Sequence, residues 1–171
     1  AQHLPLADAT FDVVLAAHML YHVPGQAGAV AAFRRVLRSE GRLLVTTNSE
    51  DSMSELKALE REVAVRLGLP APAHASLSFT LESGGSLLRR FFEHVERYDL
   101  PGALVFPDPQ PVIDYLASSR QRYERALPPA LTWHDVEREL VNVLEEKIAG
   151  QGAFRVHKLT GLFVCWNGVR D

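Results

Sequence analysis

The feature of this sequence that most constrains its fold is an unbroken apolar run, Val13-Val14-Leu15-Ala16-Ala17, close to the start of the chain. A strand with one solvated face alternates apolar and polar side chains. A continuous run with β-branched residues is instead typical of a strand that is covered on both faces. Strands of that kind occur in parallel α/β sheets. We therefore predict that this run forms a strand of such a sheet, with both of its faces covered.

The segments behind this run alternate between helix and strand. Apolar side chains three and four residues apart predict a helix over residues 27–37, and a second β-rich run predicts a strand over residues 43–47. A second helix is expected after a capping-box pattern formed by Ser52 and Glu55. The order strand, helix, strand, helix indicates right-handed crossovers and a parallel sheet.

The remainder of the chain predicts further strands and helices in a less regular order. A strand is expected over residues 95–100, and a helix over residues 107–126. A second capping box, Thr132-Trp133-His134-Asp135, predicts the start of another helix. The segment Phe154–Trp166 is rich in β-formers, and Gly161 within it predicts a bulge or a bend.

Composition limits the class of protein and its partners. With 171 residues the chain suits one domain with its own core. The formal net charge of -3 lacks the positive field of a typical nucleic-acid binder, so no nucleic-acid partner is expected. No apolar run is long enough to cross a bilayer, so we expect no membrane partner. The only cysteine, Cys165, excludes an internal disulfide and fits a reducing cytoplasm; we expect its thiol to be buried and inert.

Two stretches carry a resemblance to a known family. The first is Leu4-Pro5-Leu6-Ala7-Asp8-Ala9-Thr10-Phe11-Asp12-Val13-Val14, followed by His18-Met19-Leu20-Tyr21-His22-Val23. The second is Phe33-Arg34-Arg35-Val36-Leu37-Arg38 with Gly41-Arg42-Leu43-Leu44. In this order they resemble class I AdoMet-dependent methyltransferases of the small-molecule type-11 group, which have a Rossmann-like α/β fold.

The resemblance implies which part of the family's fold the chain supplies. Its strands are similar to the fourth, fifth, sixth and seventh strands of the family's sheet, and the last of them, Phe154–Trp166, is expected to run antiparallel. We also expect flanking helices and, within residues 70–150, a helical insertion that would act as a lid on the acceptor side. Residues 1–171 then form a single, incomplete methyltransferase domain.

The resemblance also implies a missing part. Members of the family have three earlier strands, with a glycine-rich loop that approaches AdoMet and an acid that binds the ribose. Neither feature precedes the strand at Val13–Ala17, so we expect the chain to be the C-terminal, acceptor-side part of a methyltransferase. The edge of that strand would then be unpaired. We expect it to pair with a second copy, giving a homo-oligomer, or with an N-terminal half.

Cofactor contacts are expected where the first strand ends, because ligands in open α/β sheets bind outside the carboxyl ends of the strands. The resemblance implies that the backbone of Ala17 and His18 approaches the methionine part of AdoMet. It also implies that Ala1 and Gln2 lie beside the adenine. The competing interpretation of Ala1 and Gln2 is a frayed chain terminus.

The acceptor site is expected at the same edge. The resemblance implies that His18, Tyr21 and His22 face the transfer zone, with Asn48 lining the acceptor pocket. Histidine titrates near neutral pH, which makes His18 the candidate base or substrate-positioning residue. The alternatives are structural: His18 ends the strand, His22 packs against the next helix, and Asn48 is a solvated loop residue. His18 and His22 also have a metal-ligand spacing, but no acidic ligand is near in sequence, so no metal is expected.

Three functions follow from these observations. The first is AdoMet-dependent methyl transfer to a small-molecule acceptor, with this chain supplying the acceptor-side half. The second is a non-catalytic association module or pseudo-methyltransferase, favoured by the missing glycine-rich loop. The third is an RNA methyltransferase, against which the negative net charge argues.

Overall fold

The computed structural model describes residues 3–73 and 76–168. Ala1 and Gln2 lie outside the described residues, so their contacts with AdoMet stay predictions. The strands are β1 (Phe11–Ala17), β2 (Leu37–Asn48), β3 (His94–Phe106) and β4 (Phe154–Trp166). The helices are α1 (Gln26–Val36), α2 (Ser54–Arg66), α3 (Gly84–Leu88), α4 (Gln110–Ala117), α5 (Arg120–Ala126) and α6 (Trp133–Gln151), with a short 3-10 helix at Leu20–His22.

The four strands form one sheet in the order β1-β2-β4-β3. β1 and β2 are parallel, with Ala17 opposite Thr46. β4 runs antiparallel to β2, with Leu162 opposite Thr46. The predicted α/β class and the antiparallel last strand are therefore confirmed.

The two faces of β1 differ in burial. Ala16 is 1% exposed and belongs to the same core as Val30 and Phe33 of α1. On the other face Val13 is 53% exposed and Leu15 is 63% exposed. The expectation that both faces are covered is therefore wrong for the described residues. The apolar run is typical of an inner strand, but in the described residues β1 is one of the two outer strands of the sheet.

The chain forms two compact units. The first comprises Ala1–Ser52, Ser76–Gly102 and Lys158–Asp171, and its core includes Leu43, Phe79 and Phe163. The second comprises Met53–Ala75 and Ala103–His157. Its core is built by α2, α4 and α6, and Leu59, Ile113 and Leu140 are among the most buried side chains there. Of the helices in the described ranges, none is long and apolar enough to cross a membrane.

Of the two predicted capping boxes, the first is wrong. α2 begins after Met53, which has a left-handed φ of 61°. The Ser52 hydroxyl instead accepts a hydrogen bond from the Leu159 amide at 3.2 Å. The Glu55 carboxylate accepts a hydrogen bond from the His157 amide at 3.2 Å and also contacts the His157 ring. Both side chains thus serve tertiary contacts, which a local sequence pattern does not reveal.

The second capping box is confirmed at the start of α6. The Asp135 carboxylate accepts a hydrogen bond from the Thr132 amide at 2.9 Å, and the reciprocal bond to the Thr132 side chain is also formed. α6 ends at Gly152, whose φ of 78° is the left-handed conformation that glycine tolerates. Gly150-Gln151-Gly152 is the only Gly-x-Gly of the sequence, and it ends a helix rather than forming a loop between a strand and a helix.

Gly161 forms no bulge against β2, and the alternative, a bend, stays a prediction. β4 pairs with β2 in continuous register, and Gly161 lies opposite Thr47. A Cβ atom at this position would lie 2.7 Å from the Leu81 side chain and 2.7 Å from the Tyr98 carbonyl oxygen. Glycine is needed here because neighbouring chain segments approach too closely for any side chain.

Candidate functional site

The chain turns sharply where β1 ends. His18 has a φ of 46°, in the left-handed region that side chains other than glycine rarely adopt. The His18 amide lies 3.1 Å from the Thr46 carbonyl oxygen and 3.1 Å from the Thr46 hydroxyl, and donates to both. The turn is therefore tied to the neighbouring strand β2. Backbone strain of this kind is concentrated at functional sites.

The turn brings together three of the predicted site residues. The Tyr21 ring lies 4.5 Å from the His22 ring and 6.5 Å from the His18 ring, each in an edge-on arrangement. Leu20, between them, is fully buried and anchors the segment in the core. His18 and His22 are exposed, whereas Tyr21 is half-buried against the core. Two imidazoles and a phenol are thus presented beyond the carboxyl end of β1.

A loop that sequence reasoning missed holds this group in place. The Ser78 hydroxyl donates a hydrogen bond to the Tyr21 carbonyl oxygen at 3.1 Å. The Gln26 side-chain amide donates to the Ser78 hydroxyl at 2.7 Å. Neither residue stands out in the sequence, because Ser78 is 57 residues from Tyr21 and meets it only in the folded chain.

Asn48 lies at the same edge of the sheet, at the carboxyl end of β2. Its side-chain oxygen accepts a hydrogen bond from the Thr160 hydroxyl of β4, and its carbonyl oxygen accepts one from the Leu81 amide at 3.1 Å. The residue is half-buried. Its side chain is thus committed to β4, and the structure does not show it joined to the group formed by His18, Tyr21 and His22.

A second polar group lies at this edge, and its residues Thr80 and Ser83 were not predicted. Thr80 is fully buried, and its hydroxyl donates to the Glu50 carboxylate at 3.1 Å. The Thr80 amide donates to the Ser83 hydroxyl at 3.1 Å, and the Ser83 amide donates to the Thr80 hydroxyl at 3.2 Å. The only signal in the sequence is Ser83, a residue type preferred at a helix N-cap, and α3 does begin after it.

The carboxylate of Glu82 belongs to the same polar group. Its oxygen accepts a hydrogen bond from the Glu50 amide at 3.0 Å. Desolvation raises the pKa of Glu82, but hydrogen bonds from the Ser49 hydroxyl and the Glu50 amide outweigh it, so the pKa lies below its ordinary value. The group therefore presents an ionised carboxylate, which can accept hydrogen bonds from hydroxyl or amine groups of a ligand.

The two histidines at this edge do not share one face of an α-helix. His18 precedes the 3-10 helix and has left-handed backbone angles, whereas His22 is the last residue of that helix. In residues 3–73 and 76–168, no three His, Cys, Asp or Glu side chains are grouped so that they could hold a metal ion.

The thiol of Cys165 is fully buried in β4. Desolvation raises its pKa to about 12, although the charge of Arg89 acts in the opposite direction. The thiol is therefore protonated at neutral pH, as expected of a buried side chain that is not a nucleophile.

Comparison with known protein families finds a match for the part of the chain that builds the candidate site. Residues 1–45 match the family model described as a methyltransferase domain. No curated protein matches the chain. The family match covers the strand β1, the turn at His18 and the helix α1, which are the elements that build the candidate site.

Solved structures share the fold of the chain. A candidate methyltransferase from Bacillus halodurans is 16% identical with a TM-score of 0.52, over 95% of this chain and 67% of that one. The YcgJ protein from Bacillus subtilis is 16% identical with a TM-score of 0.50, over 98% of this chain and 69% of that one. A phosphoethanolamine N-methyltransferase from Haemonchus contortus, solved with S-adenosylhomocysteine, is 15% identical with a TM-score of 0.44, over 96% of this chain and 35% of that one.

The chain thus spans about two thirds of the length of the two Bacillus proteins and about a third of the Haemonchus enzyme. At these identities structural similarity shows the fold alone, and the third TM-score is too low to support an argument. The match over residues 1–45 confirms the resemblance to a methyltransferase domain for that part of the chain, and the solved structures show the shared fold.

Proposed function

We propose that this chain, which carries part of a methyltransferase domain, contributes to the transfer of a methyl group from AdoMet to a small-molecule acceptor. The observation that supports the proposal is the strained turn at His18, which presents His18, Tyr21 and His22 beyond the carboxyl end of β1. This is the edge at which open α/β sheets bind their ligands.

AdoMet would supply the methyl group on a positively charged sulfur. The backbone of Ala17 and His18 would contact its methionine part, with Ala1 and Gln2 beside the adenine. The residues present fit a sulfonium, because the Tyr21 ring is half-buried at this edge and aromatic faces attract cations. Ala17 is small and exposed, so its side chain leaves room for a ligand at the end of the strand.

His18 would act on the acceptor. Methyl transfer is an in-line displacement, so the protein aligns the acceptor and removes a proton when the attacking atom carries one. The side chain of His18 is exposed, and its imidazole would take that proton. Tyr21, His22 and Asn48 would bind the acceptor, and helices within residues 70–150 would supply a lid on the acceptor side.

The test is transfer of a labelled methyl group from AdoMet to a panel of small amines, phenols and carboxylic acids, using His18→Asn. Asparagine tolerates the left-handed backbone that His18 adopts, so the turn is kept while the base is lost. If His18 is the base, kcat falls by about 10²–10⁴-fold and its dependence on pH near neutrality disappears. Unchanged kcat and an unchanged pH profile would rule out this role.

The matched control is His94→Asn. His94 stacks on Trp166 at 5.0 Å, and Trp166 is the last residue of β4, which runs antiparallel to β2. His94 therefore lies at the opposite end of the sheet from His18. We expect this variant to retain both kcat and the pH profile.

We also propose that the outer edge of β1 pairs with another strand, from a second copy or from an N-terminal half of the protein. β1 ends the strand order, and its side chains Val13 and Leu15 are exposed. If copies pair, sedimentation will show a dimer, and Leu15→Lys will shift it to monomer. Leu100→Lys, at a 69% exposed leucine on the other outer strand, is the control that should leave the dimer intact. Pairing between copies would be contradicted if the unmodified chain is a monomer, or if both variants shift the dimer to monomer equally.

The same exposed edge is the observation that favours the second candidate function, a non-catalytic association module. Partner binding through β1, with no methyl transfer and no binding of S-adenosylhomocysteine, would support it. For the first function we propose a cytoplasmic location, consistent with a single buried cysteine.

A further inference from the structure

The second compact unit contains a cavity of about 230 Å³. Its walls come from α2, α5, α6 and the segment of residues 69–73, and they include Val63, Ala126 and Leu140. Of the lining side chains, only Glu60 and Tyr123 carry polar groups. The cavity is therefore largely apolar, and its lining includes none of the residues proposed above to contact AdoMet or the acceptor.

The sequence builds this space through small and rigid residues. α2 ends at Arg66, and Gly68 turns the chain with a φ of 68°. Pro70 and Pro72 then fix their own φ angles and disfavour helix for the residues before them, so the segment cannot continue α2. Where larger side chains would fill the space, the lining has four alanines, Ala64, Ala71, Ala73 and Ala126.

The polar part of the wall carries no uncompensated charge. Glu60 is 8% exposed, and its carboxylate accepts a hydrogen bond from Arg122 at 2.7 Å and one from the Tyr123 hydroxyl. Desolvation, and then the hydrogen bond to Glu60, raise the pKa of Tyr123, so the phenol stays protonated. A ligand in the cavity would thus meet apolar side chains and a neutralised ion pair.

We propose that this cavity is a binding site for a neutral, apolar small molecule of roughly ten non-hydrogen atoms. An apolar cavity of about 150 Å³ accommodates benzene, so a cavity half as large again suits a two-ring or short-chain molecule. A charged ligand would lose its hydration without finding an unpaired countercharge on the wall. The proposal does not depend on methyl transfer.

The test is a ¹⁹F NMR titration of the chain with 1-fluoronaphthalene, a neutral molecule of suitable size. We expect saturable binding to the unmodified chain. Ala64→Leu, which places a larger side chain in the cavity, should weaken binding at least tenfold. The matched control is Val65→Leu, the next residue on α2, which is 72% exposed and should leave binding unchanged.

Three results would overturn the proposal: no saturable binding to the unmodified chain, equal weakening in both variants, or tighter binding of the cation 4-fluorobenzylammonium than of the neutral probe. Should Ala64→Leu fail to fold, as judged by its circular dichroism spectrum, Ala126→Leu fills the same cavity from α5. Binding of S-adenosylhomocysteine should be the same in all variants, so this site and the proposed transfer site can fail independently.

Discussion

Gly161→Ala tests whether close packing at the middle of β4 holds the sheet that positions the candidate site. The new methyl group would lie 2.7 Å from both the Leu81 side chain and the Tyr98 carbonyl oxygen. Leu81 can adjust, but the Tyr98 oxygen belongs to the backbone of β3 and moves only with that strand. Overpacking of this kind costs about 1–3 kcal/mol. Alanine also restricts the unfolded chain more than glycine does, which stabilises the folded state by about 0.4–1 kcal/mol. We therefore expect the free energy of unfolding to fall by about 1–2 kcal/mol.

The free energy of unfolding, measured by urea denaturation, checks this value. The matched control is Gly150→Ala, the same chemical change within α6, where no atom outside the local helix backbone and the two adjacent residues lies within 4 Å of the added carbon. Because glycine is less favourable than alanine in a helix, the control should gain about 0.5–1 kcal/mol. A Gly161→Ala variant as stable as the control would refute the argument from close approach.

Three further predictions follow from the described contacts. The pKa of Glu82 is lowered from 4.5, so the ionised carboxylate stabilises the fold above that pH, and this stabilisation is lost as the pH falls through the folded-state pKa. Urea denaturation at pH 6 and pH 3.5 should show a lower free energy of unfolding at pH 3.5. Glu82→Gln should reduce the difference between the two pH values. The pKa of Cys165 is raised from 9.0 to about 12, so the free energy of unfolding should fall as the pH rises through this window. Rapid reaction of the native thiol with iodoacetamide at neutral pH would contradict the burial of Cys165. Asp135→Ala removes the capping box of α6 and should lower the unfolding free energy by about 1 kcal/mol, whereas Glu145→Ala at an exposed position of the same helix should change it little.

The order of the elements could be predicted from the sequence where local patterns decide the structure. β1, α1 and β2 follow from an apolar run, a helical period and a second apolar run. The helix α6 follows from its capping box. Prediction was wrong where a tertiary contact replaces the local one: Glu55 binds His157 instead of capping α2, and Gly161 makes room for Leu81 instead of forming a bulge.

The candidate site could be predicted only in part for the same reason. The residues at the end of β1 are contiguous in sequence, so His18, Tyr21 and His22 could be named together. The left-handed turn at His18 could not be predicted, because it depends on hydrogen bonds to Thr46 of the neighbouring strand. The hydrogen bonds of Ser78 and Thr80 depend on a loop that returns to this edge over a long sequence separation.

The measurement that tests the central claim most directly is an NMR titration of the isotope-labelled chain with S-adenosylhomocysteine, with adenosine as the control ligand. Shift mapping detects weak binding and also locates it, so a partial cofactor site suffices for a result. If the end of β1 binds the cofactor, the backbone amides of Ala17 and His18 will show saturable shifts with S-adenosylhomocysteine. The shifts there will be smaller with adenosine, which lacks the amino-acid part. The absence of shifts at Ala17 and His18 at saturating ligand, or shifts confined to residues away from this edge, would contradict the claim that the end of β1 is a cofactor-binding edge.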